Sequence, residues 1–180
     1  HDIGTTPTPS FGAFSETLTA GYSATSGQIF GEISRRFERG AIRYEPYANL
    51  AHVHLSTGSF AESGGAAALS APGSTMDTNF TTLGLRGDSD VMLGGRQVSV
   101  TAGFGWQHAF GDVTPTTQNA FATGSAFAIA GAPVAADTLV LELGADFAVG
   151  ADAALDLGYA AQIGSGANNH SLSATYSRRF

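Results

Sequence analysis

The thirteen residues that end the chain, Asn168 to Phe180, limit the possible folds more than any other stretch. From Asn169 every second residue is polar: Asn169, Ser171, Ser173, Thr175, Ser177 and Arg179. The intervening set runs His170, Leu172, Ala174, Tyr176, Arg178 and Phe180. Successive side chains of a strand point to opposite faces. The pattern therefore predicts a strand with one wet face and one mostly apolar face, ending on an aromatic residue.

Period-two alternation recurs along the chain, broken by Gly, Pro, Ser and Asp clusters, while helical periodicity is nearly absent. This is the all-β signal. Eight strands are expected. The first covers about 14–23 and the second about 28–37, joined by a tight turn at 24–27. The third covers about 41–55, and Pro46 within it, which cannot donate to a ladder, is expected near a strand end or bulge. The fourth covers about 77–87, the fifth begins near Val98, and the sixth and seventh cover about 138–149 and 153–164. The connections alternate in length. Those at 38–40, 88–95 and 150–152 are short; those at 56–75 and 110–136 are long, the second with room for a short hairpin around 126–130. Outer-membrane barrels keep short periplasmic turns and longer external loops.

Composition decides which face is wet. Charged residues make up 13% of the chain, against about 25% in soluble domains. All eight basic residues are Arg. A soluble exterior carries more charge; a lipid-facing surface excludes it, because a basic side chain at the bilayer midplane costs about 2–4 kcal/mol. Mean hydropathy is only +0.05, as expected when alternate residues alone touch lipid. The fold class expected is therefore all-β, an antiparallel up-and-down transmembrane β-barrel. A soluble lipocalin-like ligand-binding barrel is the alternative, since periodicity does not say which side is wet. A small structural outer-membrane barrel is a third reading. Net charge of −7 argues against nucleic-acid binding, and the absence of Cys removes disulfide and thiol chemistry. A chain that begins at His1, without Met or signal peptide, is expected to be a piece of a longer protein.

On this reading Glu32, Arg36, Glu45, Arg86, Glu142, Asp146, Asp156 and Arg179 line a pore, where they stay hydrated or paired as they could not in lipid. Many other inner positions are Gly, Ala, Ser or Thr, which leave room for water or a threaded polypeptide. Tyr22, Tyr44, Trp106, Tyr159 and Tyr176 suit interfacial aromatic girdles. His52 and His54, two apart, have a spacing that can ligate metal; interfacial packing is the other reading. No nucleophile elbow, phosphate loop or nucleotide motif appears, so neither catalytic residues nor a cofactor are expected.

Five motifs occur in an order that resembles the C-terminal translocator domain of type Va autotransporters. They are Tyr44-Glu45-Pro46-Tyr47-Ala48-Asn49-Leu50-Ala51, Thr82-Leu83-Gly84-Leu85-Arg86, Gly105-Trp106-Gln107-His108-Ala109-Phe110-Gly111-Asp112, Phe127-Ala128-Ile129-Ala130-Gly131-Ala132-Pro133 and Tyr176-Ser177-Arg178-Arg179-Phe180. The resemblance covers about 28–180. It implies a twelve-stranded barrel with a helix in its pore, of which this chain supplies the last eight strands. Residues 1–13 would be the end of a preceding strand and its turn, and 14–180 the partial barrel. The resemblance also implies insertion in the outer membrane of a Gram-negative bacterium and export of a passenger attached at the N-terminal side. Expected partners are outer-membrane lipid, the barrel-assembly machinery and the passenger, but no nucleic acid or small-molecule substrate. Tyr176 and Phe180 correspond to the family's assembly signal. Some relatives cut their own linker with pore acids; pairing of the acids with Arg36, Arg86 or Arg179 is the structural alternative here.

Overall fold

A computed structural model describes residues 2–8, 10–11, 14–15, 17–65, 67–122, 124–150 and 152–179. Phe180, half of the expected assembly signal, lies outside the described residues. The described residues contain strands and no helix. Eight strands follow one another in a single antiparallel order: β1 (Asp2–Thr5), β2 (Ala20–Ser34), β3 (Ile42–Thr57), β4 (Ser74–Leu93), β5 (Arg96–Gly111), β6 (Asp137–Ala148), β7 (Ala153–Gly164) and β8 (Ala167–Arg178). A short strand, Phe37–Arg39, pairs back on the start of β3. β1 and β8 end the order, each with one strand neighbour among the described residues.

The tight connections follow from local chemistry. Gly94 and Gly95 both take positive φ, 57° and 77°, as a two-residue turn with the hand that matches strand twist demands. The expected loop 88–95 shrinks to these two residues, because Asp88 and Asp90 continue β4. Pro46 sits inside β3 rather than at its end. The disturbance falls on the partner: regular pairing lapses at 35–36, where the Arg35 amide still donates to the Pro46 carbonyl at 3.2 Å. The two strands expected over 14–37 are one. Residues 24–27, rich in Ser, Thr and Gly, run extended through β2 without turning.

The chain forms two compact units. The first comprises His1–Ile29, His52–Thr78 and Gly111–Val134. Both long connections belong to it, and they are structured. Thr116–Phe121 pairs with Phe127–Ala130 as a hairpin, and also with Leu69–Ala71, which pairs with Phe60–Ala61. The result is a four-stranded sheet built from two loops. Leu18, Ala71, Thr78 and Asn119 are buried in this unit. Tyr22, expected in a girdle, instead packs its ring on Phe60 with centroids 5.7 Å apart.

The second unit comprises Phe30–Ala51, Asn79–Phe110 and Ala135–Phe180. Register across β5, β6, β7 and β8 sorts its side chains into rows. One face carries Val98, Phe147, Leu155 and Tyr176 in one row, then Val100, Ala145, Leu157 and Ala174. Ala102, Leu143, Tyr159 and Leu172 follow, then Phe104, Leu141, Ala161 and His170, then Trp106, Leu139, Ile163 and Asn168. The opposite face alternates with it: Ser99, Asp146, Asp156 and Thr175 form one row, and Gly103, Glu142, Ala160 and Ser171 another. Most of the apolar rows are exposed: Leu172 is 85% exposed and Phe104 56%, while Val98 and Ala161 are buried. A continuous exposed apolar surface of this kind marks a membrane or partner face. From Val98 to Trp106 is about 27 Å along the strand, or about 21 Å of depth at the ~40° tilt of membrane barrels. That is close to the ~25 Å apolar band such barrels present.

Candidate functional site

The polar face of the second unit holds two ionic networks. Arg86, on β4, is the centre of the first. Its Nε donates to Glu45 Oε1 at 3.0 Å, and its Nη2 contacts Glu45 and, at 2.8 Å, Glu32. The strand alternation that puts Glu32, Glu45 and Arg86 on polar faces thus brings them together across three strands. Arg86 also lies over the Tyr47 ring, its guanidinium carbon 5.0 Å from the centroid. Glu142 joins the same neighbourhood: Gly103, between them on β5, would carry a Cβ 3.6 Å from that of Arg86 and 3.7 Å from that of Glu142. Every side chain here is partly open to solvent, so screening keeps each pair weak in stability terms. Their pairing neutralises charge on this face.

The second network was only partly legible. Arg36 donates to Asp88 at 2.9 Å. Arg43 donates to Asp88 and, at 3.3 Å, to Asp90. Ser99 Oγ in turn donates to Asp90 at 2.9 Å. A cavity of ≈190 Å³ borders both networks, lined among others by Arg36, Arg43, Glu45, Arg86, Asp88 and Glu142. Arg43, Asp88 and Asp90 did not stand out beforehand, because Asp and Ser near Gly read as a turn. The signal was present: Arg86, Asp88 and Asp90 repeat at period two, which marks a continuing strand.

The remaining expected residues separate. Asp146 and Asp156 face each other directly as cross-strand partners. No ion pair joins either to Arg36, Arg86 or Arg179 among the described residues, and the Ser99 hydroxyl of their row donates to Asp90. Arg179 is placed by its backbone amide, which donates to the Asp152 carbonyl at 2.9 Å; it does not join the acids. The sequence also missed Tyr47 as an anchor. Its ring occupies the space over Gly84 and Gly105, where Cβ atoms would collide with it.

The apolar face ends in polar pairs. Trp106 Nε1 donates to Asp137 Oδ1 at 2.9 Å, and His108 Nδ1 lies 2.9 Å from the same oxygen. Trp106 thus has the polar tip and apolar body of an interface anchor. Tyr159 does not sit at a girdle. It occupies the middle apolar row, with its hydroxyl 2.9 Å from His170 Nδ1. In the first unit, His54 Nδ1 lies 2.8 Å from Asp77 Oδ1 and His52 Nε2 3.5 Å from the same atom. The two imidazoles share a carboxylate, and among the described residues no group of three such side chains is placed to hold a metal ion.

Comparison with known proteins agrees with this two-faced sheet. The family model of the autotransporter beta-domain matches residues 1–160, further toward the start than the motif resemblance reached. Two proteins named extracellular serine protease, both from Serratia marcescens, align over all of the chain at 34% and 32% identity. The chain spans 17% of the length of each. It belongs to the autotransporter β-domain family, and is an outer-membrane translocator domain of a Gram-negative bacterium.

Proposed function

We propose that this domain exports a passenger attached on its N-terminal side, through a lumen lined by the polar face described above. The reading is carried by one observation: a family match over residues 1–160 on a sheet whose exposed face is apolar and whose opposite face carries the charges. Glu32, Arg36, Glu45, Arg86, Glu142, Asp146, Asp156 and Arg179 are the proposed lining. Between the charged pairs this face is small: Gly103, Gly144, Gly158, Ala160, Ser171 and Ser173 share its rows. Small side chains leave width for a polypeptide, and paired charges hold few sites that would trap one. The domain itself carries out no catalysis; the protease label of the two relatives belongs to those much longer proteins.

Assembly is proposed to proceed through the barrel-assembly machinery, with Tyr176 and Phe180 as its signal. β8 suits strand addition, because backbone pairing supplies affinity and alternate side chains supply selectivity. The test follows a tagged passenger in the full-length protein in a Gram-negative host. Added protease should reach the passenger on intact cells, and Phe180 deletion should slow its appearance. A passenger that reaches the surface equally well after removal of residues 137–180 would refute the translocator role.

A further inference from the structure

We infer that the apolar face of the second unit binds one glycerophospholipid, with an acyl chain in a groove across β3 to β6 and the phosphate at Arg35. The groove measures ≈500 Å³. Gly87 and Ala102 give it depth, and Tyr44, Leu85, Phe104, Leu141 and Leu143 border it. Register explains the shape: Ala102 is the partner of Leu143 and Phe104 of Leu141, so a methyl lies between long side chains. Arg86, Asp88, Ser89 and Thr101 also line it; its remaining borders are hydrocarbon and aromatic.

A cation stands two ring contacts away from this groove. The Tyr44 ring, part of the lining, stacks on Phe37 with centroids 5.3 Å apart and planes 15° apart. The Arg35 guanidinium sits over the other ring of that pair, 5.1 Å from the Phe37 centroid. Arg36, Arg43 and Arg86 are each held by a carboxylate. Arg35 makes no ion pair among the described residues, and its side chain is exposed. A planar guanidinium fixed by stacking, with its donors unspent, is suited to bidentate contact with phosphate.

The location selects the source. Arg35 and Phe37 flank the short turn at Gly40–Ala41, and short turns mark the periplasmic side of such barrels. The leaflet on that side of an outer membrane is made of glycerophospholipids. An anion covalently joined to hydrocarbon is what a cation beside an apolar groove would hold.

The inference rests on outer-membrane insertion and is tested on the full-length protein. It is extracted in a mild non-ionic detergent, and only material with heat-modifiable migration is kept. Native mass spectrometry then follows binding of dipalmitoylphosphatidylglycerol. Arg35→Gln should weaken binding about tenfold, the size of one lost charge-assisted contact. Ala102→Phe should fill the groove and weaken it at least as much, and Leu172→Phe, on β8 away from the groove, should leave it unchanged. Equal binding by all three variants overturns the site. Heat-modifiable protein that takes up no phospholipid does so too, and leaves the export reading standing. Lipid binding by a protein whose passenger stays in the periplasm does the reverse.

Discussion

The phenol oxygen of Tyr47 fills the space a side chain on Gly105 would need: a Cβ there would lie 2.8 Å from it. Gly84, on β4 between the strands of Tyr47 and Gly105, would meet the same ring. Tyr47 therefore locks β3 against β4 and β5 only while both positions stay bare. Gly105→Val should push the ring out of its place and cost about 1–3 kcal/mol, as overpacking of a filled site does. Tyr47→Phe, which keeps the ring, should cost less. Thermal loss of the heat-modifiable band measures both, and equal midpoints for Gly105→Val and wild type would show that the ring has room to move.

Neighbouring residues on β7 should respond oppositely to the same change. Leu157 lies in the apolar row of Val100, Ala145 and Ala174, and Asp156 in the polar row of Ser99, Asp146 and Thr175. Leu157→Arg places a charge within the apolar band, at a cost of about 2–4 kcal/mol near the midplane. Asp156→Arg keeps its charge off lipid and faces Asp146. Folding into phospholipid vesicles, followed by gel migration, should fail for the first and proceed for the second. Equal yields would mean that the two faces have been assigned to the wrong sides.

How much of this was readable beforehand differs along the chain for a physical reason. Over β5 to β8 one face meets lipid, so bulky apolar residues recur at every second position and the register follows. Val98 to Trp106 and Leu139 to Phe147 show it. Over 24–27 of β2 both faces are built of Ser, Thr, Ala and Gly, and these same residues make turns. The segment 24–27 therefore read as a turn although it is extended. Asp88 and Asp90 were absorbed into a loop by the same ambiguity. The Tyr47 contact was out of reach, because it depends on which glycines of β4 and β5 stand beside β3. The loop sheet of 60–61, 69–71, 116–121 and 127–130 depends in the same way on pairing between distant segments.

The Arg86 network offers a test of charge neutralisation. Arg86→Met leaves Glu32 and Glu45 near one another with their shared cation gone. Removing one partner of such a cluster strands the others. The single variant should lower the denaturation midpoint, and adding Glu45→Gln should recover part of the loss. Neighbours in one network are expected to be non-additive. If the double variant falls by the sum of the two single changes, the residues act independently and the network is incidental.

Asp146 and Asp156 supply the opposite case, two acids directly across a strand pair. Like charges directly opposite one another destabilise a sheet. Asp146→Asn removes one of the two facing charges and should relieve the repulsion. The expected result is a higher midpoint for Asp146→Asn than for wild type at pH 7. Asp156→Asn should behave alike, because the pair is symmetric in register. A lower midpoint for both at pH 7 would show that the two charges are wanted, and that something cationic normally rests between them.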